Sequence, residues 1–211
     1  DLSGLALCDS DGNPAVWFEV IRMNVYDFDG TIYRGDSSVD FYAYCLKRRP
    51  QLLLGLPRFF VHCVLYKLGK ISKRELKEVY FHFLTKLDDA EGFVRQFWNR
   101  NEDRIKHWYL QQKSEDDVVI TASPEFLVSE ICTRLGIHSL IATQVDIHSG
   151  RFLSENCHDE EKVKRFRKEF PDSRPTAFYS DTQSDLPMAR LAERAYLVED
   201  DQIKEWDINQ G

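Results

Sequence analysis

Apolar residues follow two rhythms along this chain. Met23-Asn24-Val25-Tyr26-Asp27-Phe28 is a short β-branched and aromatic run that breaks into the turn Asp29-Gly30-Thr31, the pattern of a buried strand. From Ser37 to about Lys113 the spacing is helical. It predicts a segment ending near Arg49-Pro50, a second over Leu52 to Leu68, a third opening at Ser72 with Glu75 placed to close a capping box, and a long fourth from Asp88 to Gln112. After Asp116 short apolar strands alternate with helices. Val118-Val119-Ile120, Ser139-Leu140-Ile141-Ala142, Thr176-Ala177-Phe178-Tyr179 and Ala195-Tyr196-Leu197-Val198 are the strands, with helices over 124–135, 159–170 and 186–193. Val145 to Leu153, around His148-Ser149-Gly150, reads as an appended hairpin.

Such alternation predicts a parallel sheet covered on both faces. The expected fold class is α/β, a Rossmann-like doubly wound parallel sheet whose first strand is followed by a helical excursion of about 80 residues, far beyond an ordinary connection. Residues 23–35 and 114–211 form the α/β core and 36–113 a helical cap. Met23 reads as an initiator and 1–22 as an N-terminal extension, its Asp9-Ser10-Asp11-Gly12-Asn13-Pro14 segment suggesting a hairpin turn.

With 43% hydrophobic residues in 211, the chain is too apolar to be disordered and long enough for a core plus an insertion. Pro57, Arg58, His62 and Lys67 interrupt Leu52 to Leu68, which makes it too polar for an ordinary transmembrane helix. Asp1-Leu2-Ser3-Gly4 shows no basic lead of a secretory signal. Five cysteines, odd in number and without CxxC spacing, fit reduced thiols and a cytoplasmic location. The net charge of -7 excludes a general nucleic-acid binder.

That charge is uneven. Residues 41–86 hold ten Lys/Arg against two acids, a segment of +8, and the remainder carries -15. Basic residues flanking the aromatic and aliphatic run suit peripheral contact with an anionic membrane, or a hydrophobic phosphate ester. A helix apolar nearly all round is also, and more simply, expected to lie buried in a small bundle. His62, His82 and His107 read as packing or surface residues in helical context.

In an open α/β sheet ligands bind beyond the carboxyl ends of the strands. Those positions carry Asp27 and Asp29, Thr121 and Ser123, and Asp181 and Asp185, with Lys162 opening the helix before the fourth strand. Acids gathered on one rim repel one another unless a hard cation sits among them, and oxygen-rich ligation suits magnesium.

This ordered set resembles the haloacid dehalogenase superfamily of aspartyl phosphatases, in its phosphoserine-phosphatase-like branch. DxDxT stands as Asp27-Phe28-Asp29-Gly30-Thr31; the hydroxyl ending a strand as Thr121 in Val118-Val119-Ile120-Thr121; the lysine run as Cys157-His158-Asp159-Glu160-Glu161-Lys162-Val163-Lys164-Arg165; and the acidic pair as Asp181-Thr182-Gln183-Ser184-Asp185. The resemblance implies a phosphomonoester hydrolase with Asp27 as nucleophile and Asp29 as general acid and base. Magnesium is implied on the Asp27 carboxylate, the Asp29 main-chain carbonyl and Asp181, with Asp185 in support. Lys162 and Thr121, helped by main-chain N-H groups near Gly30 and Ser123, are implied to hold the phosphoryl oxygens. Asp29 favours phosphoryl transfer over dehalogenation, because a halide needs no protonation. Lys164 is the rival of Lys162, but two residues apart on a helix they point about 200° apart.

The chain departs from the usual pattern at Thr182, in place of a small residue, and at Asp159, in place of a glycine. Nine residues after the nucleophile, where phosphoserine phosphatases carry a Glu for the substrate amino group, stands Asp36, which also fits the N-cap of the helix beginning near Ser37. A small phosphate ester such as phosphoserine is the first expectation. The alternatives are a lipid phosphate at the membrane surface and a non-catalytic phosphate-binding module.

Overall fold

β1 (Asn24–Tyr26) carries Val25 and Tyr26, both fully buried, which suits a strand covered on both faces. In the computed structural model, which describes residues 23–208, it lies inside a six-stranded sheet. β2 (Val118–Pro124), β3 (Ser139–Thr143), β4 (Ala177–Ser180) and β5 (Arg194–Glu199) continue the parallel arrangement, and β6 (Gln202–Glu205) returns antiparallel along β5. The order is β3-β2-β1-β4-β5-β6. The strand order reverses beside β1, so the crevice between the carboxyl ends of β1 and β4 is where a ligand is expected. The doubly wound α/β class holds, and the extension and hairpin expected over 1–22 lie outside the described residues.

Eight α-helices are described: α1 (Ser37–Arg48), α2 (Leu56–Lys67), α3 (Lys73–Phe81), α4 (Ala90–Asn101), α5 (His107–Gln112), α6 (Glu125–Leu135), α7 (Glu160–Glu169) and α8 (Leu186–Leu191). Their starts and stops have local causes. The Asp36 carboxylate accepts from Val39 N-H at 2.9 Å, Ser72 and Glu75 form the expected capping box, and Gly136 at φ 72° ends α6.

Two expectations are corrected, and one strand was not foreseen. The helix expected over 88–112 is two, because residues 104–106 leave the helix to pair with the loop after β1. Arg34 N-H donates to Arg104 O at 2.9 Å, Lys106 N-H donates to Ile32 O at 2.8 Å, and Tyr33 bridges Ile105 between them. The run over Leu52 to Leu68 opens as a 3-10 turn over Pro50–Gly55, and no residue of α2 is buried, so the buried-bundle expectation fails. Phe60 is 62% and Leu68 65% exposed, because α2 is packed on one side only, by the preceding turn and α3. β6 was not foreseen: all four of its residues are exposed, which leaves no alternation to read. The hairpin expected at 145–153 is present in short form, with Val145 bridging Phe152 antiparallel, Asp146 N-H donating to Arg151 O and Leu153 N-H donating to Gln144 O, each at 2.9 Å.

The helical segment shares its core with the sheet. Tyr26 and Phe28 join Phe41 of α1, Phe97 and Trp98 of α4 and Leu127 of α6 in one buried cluster, and Trp98 Nε1 donates to Leu127 O at 2.8 Å. Val25, Phe178, Phe166 and Met188 fill the opposite face.

Asp117, at the end of β2 far from the crevice, is 1% exposed and accepts from Ser114 N-H at 2.9 Å. Burial pushes its carboxyl up to about 6, Asp116 adding to the rise and the Ser114 hydrogen bond opposing it. The folded chain therefore holds this proton more tightly than the unfolded one. The stability so gained is full below pH about 4 and lost as pH rises through about 6. Asp117→Asn is expected to flatten that fall and to raise stability at pH 7 by up to about 3 kcal/mol, checked by denaturant unfolding from pH 4 to 7.

Candidate active site

The ends of β1, β2 and β4 and the first turn of α7 meet at a cleft of about 470 Å³. Asp27, Asp29, Asp36, Thr121, Ser123, Lys162, Asp181 and Asp185 all line it. Of the residues singled out from the sequence, only Gly30 lies off its wall.

Lys162 is the centre of the arrangement. Its ammonium, 2% exposed, donates to Asp27 Oδ1 and to Asp185 Oδ2, each at 2.7 Å. Burial alone would lower its pKa, but the two carboxylates outweigh burial and raise it, so the lysine stays charged. Burial raises Asp27 above the ordinary carboxylate range, Lys162 offsetting part of the rise and Asp185 adding to it. Lys164 is exposed on the other side of α7 and pairs with Glu161, so Lys162 is the lysine that reaches the site.

Asp185, expected in support of the metal, is turned to the lysine. Its Oδ2 accepts from Lys162 and from Ser180 Oγ at 2.8 Å, so here it holds the ammonium in place. Asp181 opens onto the cleft, and Thr31, fully buried, donates its hydroxyl to Asp181 Oδ1 at 3.5 Å.

Asp29 is clamped. Ser37 N-H donates to its Oδ1 at 2.6 Å and Ser123 Oγ donates to its Oδ2. Both bonds favour the ionised form, yet burial wins and pushes the carboxyl up to about 6. Such a group can exchange a proton near neutral pH. Ser123 N-H donates to Thr121 Oγ1 at 3.1 Å, so neither this N-H nor the Ser123 hydroxyl is free for a phosphate as expected. The Gly30 N-H is likewise taken, by Gly35 O at 2.9 Å. Gly30 sits at φ 72° against the Asp181 carboxylate, where a Cβ would collide. Thr121 keeps its O-H proton for a ligand. Asp36 is the N-cap of α1, as one of its two expected roles required, and it also borders the cleft.

Two lysines escaped the sequence. Lys106 Nζ donates to the carbonyls of Gly30 and Asp200, 76 and 94 residues away, and so ties the loop after β1 to the β5–β6 turn. Lys77 of α3 reaches the cleft wall from the helical side and donates to Asn156 Oδ1 at 2.7 Å; burial, with Lys73 in addition, lowers its pKa to about 8. No spacing rule points to either, since their partners are distant in sequence.

Asp159, where a glycine is usual, has φ 52° and ψ -129°, a conformation that glycine adopts freely, and its side chain caps nothing in α7. Asp159→Gly is expected to raise stability by about 1 kcal/mol despite the freer unfolded chain, read from the denaturation midpoint.

The cleft offers magnesium a set of oxygen donors. Asp27, Asp29, Asp181 and Asp185 stand against one fully buried ammonium, and burial raises Asp27, Asp29 and Asp181. Among the described residues no group of three or more His, Cys, Asp or Glu forms a cage for a metal. Magnesium is commonly held by one or two carboxylates and completes its shell with water and substrate phosphate, and the Asp27 and Asp181 carboxylates both line the cleft. The donors present fit the ion.

A match to the family described as haloacid dehalogenase-like hydrolase extends over residues 25–190. The chain belongs to this family. Among its curated relatives is protein CicA of Caulobacter vibrioides (strain NA1000 / CB15N), 30% identical over 190 residues that cover 82% of this chain and 84% of CicA. A histidinol-phosphatase of Neisseria meningitidis serogroup C (strain 8013) is 25% identical over 154 residues, covering 67% of this chain and 66% of the enzyme. The fold is shared with a protein of unknown function from Bordetella pertussis Tohama I, at a TM-score of 0.66, 20% identity and coverage of 82% and 88%. It is also shared with a probable phosphoserine phosphatase from Vibrio cholerae, at a TM-score of 0.55, 12% identity and coverage of 83% and 56%. The four motifs of the haloacid dehalogenase-like hydrolases thus occupy one cleft in this member.

Proposed function

We propose that this hydrolase is a magnesium-dependent phosphomonoesterase that works through a phosphoryl group carried on Asp27. What supports this is Lys162, fixed between Asp27 and Asp185 beside Asp29 and Asp181. The Asp27 and Asp181 carboxylates and the Asp29 carbonyl would hold magnesium, which supplies positive charge that lets a carboxylate approach a phosphate.

Lys162 holds one oxygen of Asp27 and leaves the other to attack phosphorus. The third ammonium proton and the Thr121 hydroxyl bind phosphoryl oxygens. As the P-O bond to the leaving group breaks, protonated Asp29 gives its proton to the departing alkoxide. The carboxylate so formed takes a proton from water as the water oxygen attacks the aspartyl phosphate, which releases inorganic phosphate and restores both groups. Ser37 and Ser123 keep Asp29 in one orientation for both steps.

Phosphoserine belongs among the substrates to test, because Asp36 places a carboxylate at the cleft mouth where an ammonium would meet it. Among the described residues no helix is long and apolar enough to cross a membrane, and Cys45, Cys63, Cys132 and Cys157 are free thiols, which fits a reducing cytoplasm. The test is phosphate release from an aryl phosphate, phosphoserine and a short-chain lipid phosphate, with magnesium and with chelator. It is combined with mass spectrometry of the Asp27 peptide after acid quench. Metal-dependent turnover with a phosphoryl adduct on Asp27 is expected; turnover without that adduct would sink the covalent route, and no turnover on any ester would sink the phosphatase.

A further inference from the structure

Beside the catalytic cleft the helical segment encloses a second, apolar groove of about 710 Å³, within the size range of small-molecule sites. The two adjoin, since Val39, Phe59 and Tyr80 line both. Leu54, Leu56, Arg58 and Lys86 also line the groove. A molecule whose phosphate rests at Asp27 therefore has an apolar surface next to it for its remaining length.

The outer surface continues the theme. At 100° per residue, Pro57, Phe60, Val61, Val64 and Leu68 fall within one stripe of α2 about 100° wide. Phe60, Val61, Val64 and Leu68 are between 56% and 65% exposed, and Leu54, just before the helix, is 83% exposed. Lys67, Lys70 and Lys73 follow at its carboxyl end. From Phe41 to Arg74 there is no Asp or Glu, although 35 of the 211 residues are acidic. Glu75 and Glu78 of α3 stand near Arg58 and His62 on one flank of α2, but the charged residues that follow the stripe in the chain are lysines, and an exposed apolar stripe followed by cations complements an anionic lipid surface.

We propose that the substrate of this site is an amphiphilic phosphate monoester taken from an anionic bilayer, with its phosphate at Asp27, its chain along the groove, and the α2 stripe seated in the lipid. This rests on the phosphatase function proposed above and names its substrate class.

The experiment uses the full chain and vesicles of phosphatidylcholine with phosphatidylglycerol or without it, in co-sedimentation. The same vesicles, doped with a long-chain phosphate monoester, serve as substrate beside its water-soluble short-chain analogue and an aryl phosphate. Two variants accompany it: Phe60→Glu with Val64→Glu on the stripe, and Val79→Trp to fill the groove. Binding to the anionic vesicles and faster turnover of the long-chain ester are expected. The stripe variant should lose roughly tenfold or more in both, with aryl phosphate turnover unchanged. Val79→Trp should raise KM for the long-chain ester alone.

Aryl phosphate turnover with no vesicle binding overturns the proposal, as do equal rates on long and short chains. Binding that appears only in a chain starting at Met23 would assign the stripe to residues 1–22, and a dimer dispersed by the stripe variant would assign it to a second copy; either overturns it. Vesicle binding without turnover of any ester sinks the phosphatase instead.

Discussion

Asp27→Asn is expected to lower phosphate release by about four orders of magnitude or more, since the proposed mechanism carries the phosphoryl group on this carboxylate. Folding should not suffer. Two carboxylates share Lys162 in the native protein, and the substitution leaves the ammonium paired one to one with Asp185. Because burial raises the Asp27 pKa, its ionised form opposes folding at neutral pH. The denaturation midpoint of the metal-free variant at pH 7 should therefore equal or exceed that of the wild type, any gain fading as pH falls from about 7 toward 4, where the folded chain already holds Asp27 protonated. A variant that keeps turnover within tenfold of wild type would place the nucleophile elsewhere.

Lys162→Met reverses the electrostatics. It leaves Asp27 and Asp185 facing each other with no counter-charge, and removing one partner of a buried ion pair costs about 3–5 kcal/mol. The loss should be large at pH 7 and shrink at pH 5, as the stranded carboxyls take up protons. Urea unfolding of metal-free protein at both pH values separates this from lost packing, which would give the same loss at each. Turnover should fall as well, because the phosphoryl oxygens lose their buried cation.

What the sequence made legible was what lies close together in it. Asp27, Asp29 and Thr31 follow one strand within five residues, and their roles on β1 need only that strand and its turn. Helix geometry allowed only one of Lys162 and Lys164 to reach the site, and the resemblance of the run around Lys162 chose between them. The clamp on Asp29 was not legible, because Ser123 Oγ comes from 94 residues away. The bond of Asp185 to Lys162 was not legible either, since it depends on how α7 packs against α8, β2 and β3. The α2 run shows a further limit: periodicity reports that a helix is apolar but not whether anything covers it, and here one side has no covering element. The break between α4 and α5 was hidden for the same reason, since helical spacing carries no sign of the distant loop that draws residues 104–106 out.

That same short ladder, Ile32 to Arg34 against Arg104 to Lys106, has a consequence for how such a protein can change. The chain leaves the sheet and returns to it at points already hydrogen-bonded to each other. Seen from β1 and β2, the excursion between them is a closed loop, and lengthening or trimming its outermost part, from Pro50 to Lys86, alters the closure entropy only weakly. Phe59, Lys77 and Tyr80 of that part line the cleft, whereas Asp27, Asp29 and Lys162 stand on strand ends and a helix outside it. A change of length there therefore reshapes the wall of the cleft while leaving the elements that carry these three residues untouched.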